Sequence, residues 1–372
     1  MTLSVVPIGD IEAPDWDVVV RASPDGWVFA LHGWQRLVTD VEAWGFEEHG
    51  FGLMEDGRLV AVCPLHYKPA ARTAGSSGWG GSGPVIAGDL RGAARRRVFA
   101  EAVEHCIETS RRLGATRFDV TCSPVTRASL DAPWGVNPFA LERLADTSLL
   151  SQVIALEPDQ ETLWMGLSKT ARNLVRRTEK AGFKVESVDW RESLDTYYAI
   201  HTETYLRTGV SPHPRAYFEG IANRMSPSGA SRLLALKSPG GEAVAFHNMA
   251  LFGAGACYHT GCSRDIAQGD SVGYLLMWEA IKAAKSAGAL WFDCGLIFPG
   301  ATDSKQKGLT LFKTRFGGEP HRAFRSEEVF DYSVAEAEKG SGEAPGHTAP
   351  HATRLAILAF ARRWLRRARR WS

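Results

Sequence analysis

Two stretches of this chain follow the same order of elements. Glu55-Asp56-Gly57-Arg58-Leu59-Val60-Ala61-Val62 parallels Ser238-Pro239-Gly240-Gly241-Glu242-Ala243-Val244-Ala245, each a turn running into an apolar strand. Further on, Leu113-Gly114-Ala115-Thr116-Arg117-Phe118-Asp119 parallels Ala287-Gly288-Ala289-Leu290-Trp291-Phe292-Asp293. Each half therefore reads as hairpin, loop, long helix, Gly-Ala turn, and a strand ending in Phe-Asp. A duplicated unit of this kind restricts the fold to two copies of one α/β architecture with mixed sheets. The pattern predicts a first domain over 1–150 and a second over 151–335.

Local signals fill in both copies. A tryptophan- and leucine-bearing helix is expected over 27–42, with Trp27, Trp34, Leu37 and Val38 on one side. Strands over 51–54 and 59–66 flank Asp56-Gly57, a two-residue hairpin signal. A glycine-rich loop spans 75–84, a helix about 91–113, and a strand 117–121. The second half opens with a strand over 151–156. A helix follows over 168–181, with Ala171, Leu174, Val175 and Thr178 inward and Lys169, Arg172, Arg176, Arg177 and Lys180 outward, stopped by Gly182. Ser193 is expected to cap a helix ending near Arg207, and Pro214 to sit in the first turn of another. A second hairpin uses 232–236 and 242–252.

The formal net charge of +1 conceals an asymmetry. Residues 353–372 hold seven of the 43 basic side chains and no acid, which leaves 36 basic against 42 acidic groups in residues 1–352. Apolar residues Ile357, Phe360, Trp364, Ala368 and Trp371 recur through this stretch at helical spacing. It reads as an Arg-rich amphipathic tail helix, joined by a disordered linker over 336–352. A peripheral contact with an anionic membrane surface and a contact with tRNA phosphates both fit it. The start, Met1-Thr2-Leu3-Ser4, has no signal-peptide pattern, and no apolar run reaches the ~20 residues of a membrane span. The expectation is a cytoplasmic protein, peripheral at the inner membrane surface if the tail binds lipid. The six cysteines show neither Cys-x-x-Cys nor zinc spacing, so no metal site is expected.

Three blocks carry a family resemblance. Ser168-Lys169-Thr170-Ala171-Arg172-Asn173-Leu174-Val175-Arg176-Arg177, the Tyr274-Leu275-Leu276-Met277-Trp278-Glu279-Ala280-Ile281 helix, and Gly308-Leu309-Thr310-Leu311-Phe312-Lys313-Thr314-Arg315-Phe316-Gly317-Gly318-Glu319 resemble the conserved elements of FemABX-type transferases. Gly83-Pro84-Val85 resembles a shorter element of that family. The resemblance implies two tandem GNAT-like acyltransferase domains, and acyl transfer from an activated donor to an amine. Well-known members move an amino acid from aminoacyl-tRNA to a peptidoglycan-precursor peptide, a small-molecule or peptide amine acceptor. Other members of the wider superfamily use acyl-CoA. No tightly bound cofactor is implied.

Aminolysis needs a neutral amine, aligned partners and a stabilised oxyanion, but no covalent intermediate. The sequence offers no convincing Ser/His/Asp or Cys/His arrangement, which suits direct attack. The resemblance places Phe312-Lys313 at the active site, with Lys313 as the charge-stabilising group. Asp293 ends a strand beside it and is a candidate to orient or deprotonate an amine, although Asp119 at the repeat-equivalent position suggests a structural role. Tyr258 and His259 lie in the strand before the loop. Gln268, Ser271 and Gly273 partly match a GNAT pyrophosphate loop, with Ser271 in place of the central glycine; an ordinary helix cap satisfies the same residues. Arg172, Asn173 and Arg176 are candidates for acceptor or tRNA phosphates, and Gly83 for a diphosphate cradle. Three functions stay open: an aminoacyl-tRNA-dependent transferase, a CoA-dependent N-acyltransferase, and a non-catalytic nucleotide- or glycolipid-binding protein.

Overall fold

A computed structural model describes residues 3–76, 81–207, 209–264 and 272–330. The expected linker over 336–352 and tail helix over 353–372 lie outside the described residues. The first half contains β1 (Ser4–Pro7), α1 (Ala13–Ala22), α2 (His32–Asp40), β2 (Glu47–Glu48), β3 (Phe51–Glu55), β4 (Arg58–Cys63), β5 (His66–Lys68), β6 (Thr73–Gly75), β7 (Val85–Ile86), α3 (Gly92–Arg112), β8 (Arg117–Thr121), α4 (Arg127–Leu130), α5 (Pro138–Leu141) and β9 (Ala145–Asp146). The second contains β10 (Leu149–Ala155), α6 (Gln160–Gly166), α7 (Lys169–Lys180), β11 (Lys184–Val188), α8 (Trp190–Arg207), α9 (Arg215–Gly220), β12 (Ser231–Lys237), β13 (Ala243–Phe252), β14 (Gly255–Ser263), α10 (Val272–Ser286), β15 (Trp291–Ile297) and α11 (Ser304–Thr314). It is followed by β16 (Glu319–Ala323) and β17 (Arg325–Val329).

The class is mixed α/β. Three sheets have strand orders β1-β3-β4-β7, β2-β5-β6-β8-β17-β9 and β11-β12-β13-β14-β15-β10-β16. The duplication is visible in pairing: β6 runs parallel to β8 as β14 runs parallel to β15, and each pair is flanked by an antiparallel strand, β17 or β10. The copies interleave, because β17 near the end of the described chain completes the first half's sheet.

The local expectations meet the structure with a few differences. Asp56 and Gly57 take φ of 50° and 77°, the left-handed pair that a tight hairpin requires. The strand read as 59–66 breaks at Pro64, which has no N–H for the ladder, so β4 and β5 join different sheets. The helix read as 27–42 is a short 3-10 turn over 28–30 followed by α2. Ser168 caps α7 by accepting Ala171 N–H, and Gly182 at φ 88° ends it. α8 begins three residues before Ser193. The Asp189 carboxylate accepts from the N–H groups of Arg191 and Glu192, so the acid supplies the cap. Pro214 takes the N-cap of α9, which continues into a π-helical turn at Ile221–Met225.

Three apolar cores hold the layers together. α3 covers one face of the first half's sheets through Val98, Ala102, Val103 and Cys106 against Phe118 and Val120. α7 and α10 cover one face of the seven-stranded sheet. The other face of that sheet packs on α8, α9 and on α1 and α2 of the first half. Trp16, Trp27, Trp34 and Trp190 are fully buried in this shared core. Burying one such ring contributes about 2–3 kcal/mol or more, so the halves are joined by a true core.

Candidate active site

β14 and β15 are parallel only over Gly255–Cys257 and Trp291–Asp293. Among the described residues no further pairing joins them beyond Cys257 and Asp293. β14 stays on β13, and β15 stays on β10 with a register shift between Ser151 and Val153. The strands thus open, and among the described residues no ladder pairing spans the gap between their facing edges. A second irregularity lies on β14 itself. Tyr258 pairs with Met249 and Thr260 with Asn248, so His259 is an extra residue, a β-bulge that changes which face the following side chains take.

The opening is framed by charged groups at its β15 side. Asp293 is 8 % exposed, and its carboxylate accepts hydrogen bonds from Ser151 Oγ and from Gly295 N–H at 2.7 Å. Burial raises its pKa; the Ser151 and Gly295 hydrogen bonds and the Lys313 charge oppose that shift. Lys313, from the last turn of α11, donates from Nζ to Leu296 O at 2.7 Å. Burial lowers the Lys313 pKa, and the Asp293 charge opposes this. Gly295 at φ 92° makes room, since a Cβ there would lie 3.0 Å from Lys313 Nζ. An ammonium has three N–H donors, and one is spent on Leu296; the other two make no hydrogen bond among the described residues, and Asp293 reaches Lys313 through its charge alone.

The remaining sequence candidates fall around this centre. Phe312 packs on Tyr274 and Phe316, at ring separations of 5.0 and 5.2 Å, and lies over Gly273 in the first turn of α10. It sets the approach of α11 to α10 and offers no reacting group. Tyr258 packs edge-on to His247 at 4.7 Å, on the α10 side of the sheet. His259 points to the opposite side, where Phe29 and Trp34 of the first half meet its ring. Its Nε2 is 2.8 Å from Tyr217 Oη, and its Nδ1 is 3.2 Å from Asn248 Nδ2. Asn248 can only donate there, so the ring is neutral with its proton on Nε2, and burial holds its pKa down at about 3. Asn248 also accepts from Ser231, donates to Thr260, and so ties β12, β13 and β14 into one buried network.

Arg172 donates from Nη1 to the carbonyls of Met165 and Leu167, clasping the end of α6. Asn173 is exposed, and Arg176 is exposed over the Trp164 ring at 5.2 Å. Gly83 is buried: a Cβ would meet Phe139 at 2.7 Å and Cys122 at 3.1 Å, so packing alone demands glycine there. Gln268 and Ser271 lie outside the described residues. Ser151 and the carbonyl of Leu296 are site groups that sequence reading missed. Ser151 sits on a strand 142 residues before Asp293, and a main-chain oxygen has no residue-type signal at all. Among the described residues no group of three or more His, Cys, Asp or Glu side chains is placed to hold a metal ion, and no helix is long and apolar enough to cross a membrane.

Strands that part after a short parallel run, next to a long helix, define a GNAT-type acyltransferase fold. Residues 167–306 match the family model of an acetyltransferase (GNAT) domain. The whole chain is similar to the solved structure of FemX, with TM-score 0.68 and 15 % identity over 91 % of this chain and 99 % of that one. It also resembles the C-terminal domain of a putative lysylphosphatidylglycerol synthetase from Agrobacterium fabrum, with TM-score 0.57 and 16 % identity over 90 % of this chain and 98 % of that one. A tandem GNAT protein from the clavulanic acid biosynthesis pathway aligns at TM-score 0.50 and 13 % identity, covering 88 % of this chain and 99 % of that one. No curated protein matches by sequence. The chain carries a GNAT domain inside a FemX-like double fold and is an acyltransferase.

Proposed function

We propose that this acyltransferase moves an aminoacyl group from aminoacyl-tRNA to the amine of a peptidoglycan-precursor-like or other peptide acceptor, by direct aminolysis in the β14–β15 opening. The observation that carries this reading is Lys313, half-buried with two unspent donors beside Asp293 at the point where the strands part. The neutral amine attacks the acyl carbonyl carbon, forming a C–N bond and an oxyanion. Lys313 stabilises that oxyanion. The intermediate then breaks its C–O bond to the tRNA ribose. The proton lost by the amine passes to the departing oxygen, so no residue is acylated. Asp293, held by Ser151 and Gly295, keeps Lys313 charged and in place. The FemX-like double fold and the FemABX-type blocks support the aminoacyl donor.

A second reading, acyl-CoA as donor, is favoured by one observation: the family model matched over 167–306 is that of an acetyltransferase. The chemistry at Lys313 is the same, with a thiol leaving. Arg176 and Asn173 on the exposed face of α7 are proposed to meet phosphates of donor or acceptor. The arginines of 353–372 are proposed to hold the protein peripherally at an anionic membrane or to contact tRNA. To separate the donors, the protein is incubated with charged tRNA pools or acyl-CoAs and a panel of amine acceptors, and products are followed by mass spectrometry. Aminoacylated product with tRNA alone supports the first reading. Turnover with acyl-CoA alone replaces it by the second.

A further inference from the structure

Among the described residues Trp134 is the most exposed large apolar side chain, at 98 %. It also stands in the left-handed region, at φ 58° and ψ 15°, where a bulky L-residue crowds its own main chain. Neither feature serves the fold. The ring covers no core, and glycine would take the same turn without strain. A strained backbone that holds an uncovered tryptophan outward is the pattern of a recognition element.

The turn is fixed from beneath. Gly135 N–H donates to Ala132 O at 3.1 Å, and Arg322 Nη1 donates to Gly135 O at 2.8 Å. Arg322 is itself tied through Nη2 to Asp146 at 2.6 Å. Two residues on, the buried Asn137 caps α5, and its amide nitrogen lies 2.9–3.1 Å from Asp146 Oδ1, Ser148 Oγ, the Arg325 carbonyl and Ser326 Oγ. Phe139 is fully buried against Phe99 of α3. The turn therefore rests on β9, β16 and β17 through Asn137, Phe139 and Arg322. Its outward side carries Trp134, the exposed Val136, and Leu141 at 70 % exposure. Exposed Arg127 and Arg143 stand in the same segment, with Asp131 and Glu142 balancing their charge.

A ring with almost none of its surface covered projects from the body and lines no groove, so it cannot receive a helix or a peptide. It can enter another medium. Tryptophan beside aliphatic residues, with arginines near, has the chemistry of a membrane interface: the indole sits at headgroup level and the aliphatic groups reach the acyl boundary. RNA would stack on Trp134 but would leave Val136 and Leu141 among phosphates. The rest of the chain agrees in charge. It continues from β17, whose Arg325 carbonyl holds Asn137, and residues 353–372 bring seven arginines and no acid. Residues 331–352 can span up to roughly 70 Å, enough to bring those arginines to the surface around Trp134. An apolar anchor alone binds a bilayer weakly, and one joined to a polybasic segment binds it stably.

We propose that the Trp134 turn, with Val136 and Leu141, inserts into the headgroup region of an anionic lipid bilayer. It stands without the acyl-transfer reading. The full chain is sedimented with vesicles of equimolar phosphatidylglycerol and phosphatidylcholine, and with vesicles of phosphatidylcholine alone, alongside thermal unfolding. Trp134→Gly is expected to weaken binding to the mixed vesicles about tenfold, with Tm within about 2 °C of the parent because glycine accepts φ 58°. Leu141→Ser is expected to weaken it about fivefold, and Lys313→Met to leave it unchanged. Phosphatidylcholine alone is expected to bind at least about tenfold more weakly. If Trp134→Gly lowers Tm further, Leu141→Ser decides, since that side chain is exposed. The proposal is overturned by no vesicle binding, by equal binding to phosphatidylcholine alone, or by unchanged affinity in the folded Trp134 or Leu141 variant. It is equally overturned by a lipid-free dimer that Trp134→Gly abolishes, or by Trp134-dependent binding of tRNA in place of vesicles.

Discussion

Replacing Lys313 by methionine removes one charge and keeps most of the stem. The structure says what is lost. Nζ donates to Leu296 O at 2.7 Å, its other two N–H groups make no hydrogen bond among the described residues, and its charge acts on Asp293. Losing the Leu296 bond costs about 1 kcal/mol of stability, offset in part because a half-buried charge no longer has to be desolvated. Asp293 keeps its Ser151 and Gly295 hydrogen bonds, and without the nearby cation its pKa rises further, so it takes up a proton instead of standing as a bare charge. The fold should therefore survive. The reaction should not: removing one oxyanion donor costs about 10²–10³ in kcat, or roughly 3–4 kcal/mol. Donor KM should stay within about threefold, because the interaction is made in the transition state. The assay is single-turnover acyl transfer at saturating donor, alongside a urea unfolding curve. A kcat within about fivefold of the parent enzyme in a folded Lys313→Met protein would refute the role given to Lys313.

Other outcomes follow from the same geometry. Asp293 raises the Lys313 pKa, so Asp293→Asn should lower it; the alkaline limb of the kcat–pH profile should move to lower pH, and an unmoved limb would sever the pairing. Gly295→Ala forces a side chain to φ 92° and crowds Nζ, and should cost about 1 kcal/mol or more of stability in a denaturant titration together with most of the activity. Asn248→Ala strips partners from Ser231, His259 and Thr260 at once and should lower stability by about 3 kcal/mol in the same titration. His201, His247 and His259 are held neutral by burial, each with its pKa at about 3, below the ordinary 6.5. The unfolded chain therefore binds protons that the native state refuses, and unfolding free energy measured against pH should fall as pH drops from about 6.5 toward 3. His247→Gln should flatten that slope.

The double fold was legible because duplication repeats turns, strands and the terminal Phe-Asp in register, and those are local signals. The break at Pro64 was legible in principle, since proline cannot donate to a ladder, yet the apolar run from Leu59 to His66 masked it. The exchange of β17 into the first sheet was not legible, because strand partners some 200 residues apart leave no periodicity behind. The site divides the same way. Lys313 and Asp293 stood in recognisable blocks, and the structure places them together. Ser151 and Leu296 O were invisible, since their roles arise from a register shift in β10 and from a carbonyl at the strand opening. Gly83 and Arg172 have structural contacts that the sequence did not reveal. A glycine and an arginine that suggested phosphate contacts are accounted for by Phe139 beneath one and by the end of α6 beneath the other.

Direct acyl transfer in the β14–β15 opening leaves the enzyme unacylated, so its intact mass during turnover is the test. The protein is mixed with donor alone, then with donor and amine acceptor, and quenched on the turnover timescale. The enzyme is expected to keep an unchanged mass in both samples, with acylated acceptor formed one for one with deacylated donor and no product from Lys313→Met at the same times. An enzyme carrying one acyl group that chases into the acceptor, or product formed equally by Lys313→Met, would contradict it.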